Sequence, residues 1–190
     1  MAEFDEFLET LKKTAAVLRE ADVPFLLGGG LAAWARGGPE TAHDLDYMVR
    51  PRDADRALEA LEGAGLRSAK PPEGWLYKAW DGDTLVDVIF RPSGTDVDDA
   101  MFERSDELNV QAVLMNVMSL EDVMVTKLLA LREHEVDYDG VLETARALRE
   151  QIDWDDVSER TRHSPFARAF FYLAGELAVI PVPDATEASR

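Results

Sequence analysis

Apolar residues at Phe4, Phe7, Leu8, Leu11, Ala15 and Leu18 recur with the 3.6-residue period of an amphipathic helix, which predicts a helix over residues 4–21. Pro24 ends it, and Pro24-Phe25-Leu26-Leu27 reads as a short buried strand running into Gly28-Gly29-Gly30. Residues 31–36 suit a helix that starts at the glycine turn and breaks at Gly37-Gly38-Pro39. Asp44-Leu45-Asp46 leads into Tyr47-Met48-Val49, a segment of strand propensity. Asp53 is the expected N-cap of a helix over 54–62, closed by Gly63 and Gly65. Residues 75–80 and 84–91 predict two strands joined at Asp81-Gly82-Asp83, a hairpin-turn signal. Residues 92–107 read as polar and irregular, and 110–117 as a further strand.

From Ser119 the period becomes helical. Ser119 is the expected N-cap, with Asp122 three residues on as a variant of the capping box. Leu120, Val123, Met124, Lys127, Ala130 and Leu131 fall on one side, so Lys127 is a cation on an apolar face. Two readings fit it: a snorkelling stem with a solvated ammonium, or a phosphate partner. Helices over 139–151, 155–161 and 165–179 follow, and 181–190 reads as a frayed tail. The order predicts an α/β (α+β) fold: a mixed β-sheet flanked by helices over residues 1–118, with a C-terminal helical part over 119–180 packed on it.

Composition narrows the partners. With 38 Asp and Glu against 20 Lys and Arg, the formal charge of −18 opposes extended nucleic-acid binding, though not a short terminus held in a cleft. There is no cysteine, hence neither disulfide nor thiolate metal site, and no 18-residue apolar run to span a membrane. Neither a basic nor an apolar leader opens the chain, so a cytoplasmic location is expected.

In so acidic a chain an Asp-x-Asp pair is weak evidence, since Asp53/Asp55, Asp81/Asp83, Asp96/Asp98, Asp137/Asp139 and Asp153/Asp155 repeat it. Context separates Asp44 and Asp46. Strand geometry puts both carboxylates on one face, beside a glycine turn that allows close approach to backbone amides. Asp87 stands alone inside the apolar run Leu85-Val86-Asp87-Val88-Ile89-Phe90. A solvated strand end would explain Asp87 and a capping loop would explain the pair. Three carboxylates together with the glycines point instead to a divalent-metal site beside a phosphate cradle.

The combination of Gly28-Gly29-Gly30, Asp44-Leu45-Asp46 and Asp87 resembles the nucleotidyltransferase superfamily related to DNA polymerase beta. The stretch Leu120 to Arg132 is similar to the helix in which bacterial transferases of this kind carry a triphosphate-contacting lysine. Within the superfamily the chain resembles small bacterial abortive-infection-type toxins and antibiotic nucleotidyltransferases. The resemblance implies a nucleotide-binding role for Gly28, Gly29, Gly30 and Lys127, and a catalytic role for Asp44, Asp46 and Asp87 as ligands of two Mg2+ ions. It implies transfer of a nucleoside monophosphate from an NTP such as ATP to a hydroxyl on a small molecule, an RNA terminus or a protein, releasing pyrophosphate. A toxin-antitoxin role and a non-catalytic nucleotide-binding module remain alternatives. Relatives often follow the lysine helix with Arg-x-Lys-Asp; here Arg132-Glu133-His134-Glu135-Val136-Asp137-Tyr138-Asp139 lacks the lysine, a departure from the pattern of acceptor contacts, with Asp137 or Asp139 as the residues of this stretch expected near the cleft.

Other residues carry weaker signals. His43 is expected on the face opposite Asp44, while His134 and His163 are too isolated for a zinc site. Trp75, Tyr77 and Trp80 read more readily as cross-strand packing than as a base-stacking platform. Lys78 and Arg91 are candidates to flank the cleft, and Arg36 to complement a helix C-terminus.

Overall fold

The structure, a computed structural model, describes residues 2–41 and 44–180; His43 and the tail from Pro181 lie outside the described residues. Helix α1 (Ala2–Glu20) precedes β1 (Phe25–Leu27), α2 (Gly29–Trp34), β2 (Asp44–Val49) and α3 (Ala54–Gly63). Next come β3 (Arg67–Ala69), β4 (Leu76–Asp81), β5 (Thr84–Ile89), α4 (Asp99–Glu103), β6 (Asp106–Val110) and β7 (Val113–Val117). The chain ends in α5 (Leu120–Ala130), α6 (Asp139–Leu148), α7 (Trp154–Thr161) and α8 (Pro165–Glu176). Among the described residues the strands form one mixed seven-stranded sheet in the order β3-β4-β5-β2-β1-β7-β6. The α/β architecture expected of the chain is therefore the one observed.

Strand β2 runs antiparallel to β1 and parallel to β5. Its alternation sorts the two faces of the sheet. Leu45, Tyr47 and Val49 turn to a fully buried side, where the Tyr47 hydroxyl donates to the Leu11 carbonyl of α1 at 3.1 Å and shares a 2.8 Å bond with Thr14. Phe25 meets the Tyr47 ring edge-on at 5.0 Å. Asp44, Asp46 and Met48 occupy the other face. Exposure falls along that row, from exposed Asp44 through half-buried Asp46 to buried Met48. The acids thus sit at the open end of a face on which α2 packs against β2, with α5 against α2.

The region 92–117 departs from expectation. Its irregular stretch contains α4, whose N-cap Asp98 accepts from the Met101 amide at 2.9 Å. The single strand expected over 110–117 is a hairpin of β6 and β7, with Gln111 and Ala112 at positive φ in the turn. Asp53 also differs: it makes no side-chain cap, and its carboxylate instead accepts from Arg56 at 2.7 Å within a 3-10 turn. Ser119 does cap α5, accepting from the Asp122 amide at 3.1 Å. The Asp122 side chain does not reciprocate. It is fully buried and receives Arg104 in a two-bond fork at 2.9 and 3.0 Å, together with Arg160 of α7. No helix among the described residues is long and apolar enough to cross a membrane.

Candidate active site

The parallel pairing of β2 with β5 sets Asp46 directly opposite Asp87 and Asp44 opposite Leu85. Partners in register point to the same side of a sheet, so Asp44, Asp46 and Asp87 share one face across two neighbouring strands. Asp87 is buried, at 8% exposure. Desolvation raises its carboxyl above the ordinary range and Asp44 adds to the rise, against the lowering effect of Lys78. Asp46 is pushed up to about 7, first by burial, then by the charges of Asp87 and Asp44, with Lys127 and Lys78 opposing. Asp46 therefore senses both other acids, and Asp87 senses Asp44.

The glycine turn is built against these acids. The Gly28 amide donates to the Asp46 carbonyl at 2.8 Å, which docks the turn on β2. Gly29 has φ +56°, and a Cβ placed on it would lie 1.7 Å from Oδ2 of Asp46. Only a residue without a side chain leaves the carboxylate its place there. Beyond Gly29 the first amides of α2 have no acceptor within the helix, as at any helix start. Lys127 is half-buried in α5, and its charge acts on Asp46. Gly28, Gly29, Lys127 and the acid pair are thus brought to one region, while a Cβ added at Gly30 would meet the Thr41 side chain at 3.0 Å.

Lys78 of β4 pairs in register with Asp87, and its ammonium lies 3.2 and 3.4 Å from the two carboxylate oxygens. Asp46, Asp87 and Lys78 accordingly form a row across three strands. Of the described residues, no three Asp, Glu or His side chains stand close enough to hold a metal ion as placed. The Asp87 carboxylate is engaged by Lys78, whereas the two acids of β2 have no such ion pair among the described residues.

Other candidates fall elsewhere. Tyr77 is on the opposite face, against Phe90 at 4.9 Å, with its hydroxyl on Asp55. Trp80 shares the acid face, but the Arg67 guanidinium covers its ring at 4.2 Å. Arg91 pairs with Asp96. Arg36 does more than complement a helix end: it donates to the Val117 and Met118 carbonyls and to Asp106, tying α2 to β6 and β7. His134 and His163 are exposed. Asp137 and Asp139 are exposed as well, and the Asp137 carboxylate accepts from the Asp139 amide at 2.9 Å.

A family model described as "Uncharacterised nucleotidyltransferase" matches residues 6–178. No curated protein is similar to the chain in sequence. Among solved structures, ANT(2")-Ia in complex with adenylyl-2"-tobramycin superposes with a TM-score of 0.62 at 16% identity, over 87% of this chain and 97% of that one. The solution structure of the same antibiotic-resistance factor gives 0.61 at 17% identity, over 88% and 92%. A Thermotoga maritima protein proposed to be a nucleotidyltransferase gives 0.53 at 19% identity, over 65% and 84%.

Proposed function

From the premise that this chain belongs to the uncharacterised nucleotidyltransferase family and is a nucleotidyltransferase, we propose that it transfers a nucleoside monophosphate from an NTP to an acceptor hydroxyl at Asp44, Asp46 and Asp87. One observation carries the reading: Asp46 faces Asp87 in register beside Asp44, under a glycine whose missing side chain makes room for the Asp46 carboxylate.

The donor set suits magnesium, since three carboxylates offer only hard oxygen ligands. Asp44 and Asp46 would hold the ions, and Asp87 would join them on the acceptor side once its carboxylate leaves Lys78. Bound magnesium supplies neutralisation of triphosphate charge and a lowered acceptor pKa. The remaining work belongs to the chain. The Gly28-Gly29-Gly30 turn lets phosphate oxygens approach backbone amides, and Lys127 places a positive charge against the triphosphate. Asp87, next to the attacking hydroxyl, accepts its proton as the new phosphoester bond forms and pyrophosphate departs.

The protein is incubated with magnesium and each α-labelled NTP in turn, against total tRNA, a protein extract and an aminoglycoside panel that includes tobramycin. Label is expected in one acceptor class, with pyrophosphate released, and Asp46→Asn should abolish it in a folded protein. Equal transfer by Asp46→Asn refutes the site. Label in tRNA or in one extract protein would assign the toxin-antitoxin reading. The Lys78–Asp87 pair favours one alternative, a nucleotide-binding module without chemistry, and NTP binding with no transfer to any acceptor would establish it.

A further inference from the structure

We infer that Lys78 is a resident counter-cation that holds Asp87 until a divalent metal claims it, so that metal loading and release of Lys78 are one coupled event. The inference rests on the transferase reading above and deepens its metal site.

The hairpin dictates the pairing. Gly82 and Asp83 form a two-residue turn with Asp81 opposite Thr84, which brings Lys78 opposite Asp87. Strand spacing of roughly 4.8 Å then lines up the Asp46 and Asp87 carboxyl groups with the Lys78 ammonium. The ammonium touches both Asp87 oxygens, at 3.2 and 3.4 Å, in a pair whose side chains are 31% and 11% exposed. A buried carboxylate needs such a partner, because without it the charge stands desolvated beside two others. Lys78 thus compensates the third acid by direct contact. A divalent cation requires the same oxygens and must displace the ammonium to obtain them. Displacement lowers metal affinity and leaves Lys78 free at the acceptor end of the acid row, beside Trp80 and the Arg67 guanidinium. Lys78 is therefore a positioning residue for Asp87.

The test is Mn2+ binding to the nucleotide-free protein, followed by electron paramagnetic resonance and restricted to the site that Asp46→Asn abolishes. Lys78→Met should tighten that site by about fivefold or more, the lower end of typical coupling between linked sites, and should lower the metal-free melting temperature. Lys78→Arg should bind Mn2+ within about twofold of the native protein, well below such coupling. Lys70→Met removes a lysine that pairs with Asp55 outside the acid face and should leave the site unchanged, which controls for net charge. Lys78→Gln replaces Lys78→Met if the latter fails to fold. Unchanged or weaker Mn2+ binding in the neutral variant, or equal tightening by Lys70→Met, overturns the inference while leaving the transferase reading intact. A native protein without any Asp46-dependent Mn2+ site overturns both.

Discussion

Replacing Gly29 with alanine probes the link between backbone and acid site most sharply. The added Cβ would lie 1.7 Å from Oδ2, 2.7 Å from Cγ and 3.2 Å from Cβ of Asp46. Carbon and carboxylate atoms rest at about 3.5 Å or more, so the carboxylate must retreat by roughly 1.5 to 2 Å. Alanine at φ +56° adds left-handed backbone strain of about 1 to 2 kcal/mol. The stability loss should therefore be about 2 to 5 kcal/mol once overpacking of about 1 to 3 kcal/mol is included. Displacement of a positioned group by an ångström or more costs on the order of a hundredfold in rate. Urea denaturation reads the first effect and label transfer to the identified acceptor reads the second. Gly63→Ala is the control: its Cβ would meet nothing within 4 Å, and its stability should stay within about 0.5 kcal/mol of the native protein. Native transfer rates in Gly29→Ala would show that Asp46 is not held against this turn, and the site as described would fall.

Two further outcomes concern charge in the interior. Because folding raises Asp46 from an unfolded value of about 3.9 to about 7, the folded state keeps the proton that the unfolded state has shed between those values. Stability of the metal-free protein should fall as pH rises through that window by a few kcal/mol, with the penalty complete above pH of about 7. Urea melts across pH should show this slope in the native protein and flatten it in Asp46→Asn, which becomes the more stable of the two at pH of about 8; parallel profiles would contradict the burial argument. Separately, Arg104→Ala combined with Arg160→Ala strands the fully buried Asp122 carboxylate without a cation, at a cost of about 3 to 5 kcal/mol. A double variant as stable as the native chain would show that Asp122 has another partner.

The acid face was legible in the sequence because strand geometry is strict. Period-2 alternation puts Asp44 with Asp46, and one acid in an apolar run marks Asp87. The elements that escaped are those whose residues lack periodic pattern. Strand β3 is only Arg67-Ser68-Ala69 at the sheet edge, and the β6–β7 turn uses Gln111 and Ala112 where a glycine or asparagine would have announced it. Helix α4 did carry a signal, in Asp98 as its N-cap. Asp122 looked like a capping residue, because nothing local ties it to Arg160, 38 positions along the chain. Lys78 was within reach of reasoning: a two-residue turn at Gly82-Asp83 fixes its register against Asp87, but the ion pair that results depends on how deeply β5 is buried.

A crystal of the protein grown with Mn2+ and a non-hydrolysable NTP, read by anomalous scattering, bears on the central claim without any knowledge of the acceptor. The account predicts manganese peaks within coordination distance of Asp44, Asp46 and Asp87, with the triphosphate between the glycine turn and Lys127. Manganese and nucleotide bound elsewhere, with Asp87 still paired to Lys78, would contradict it.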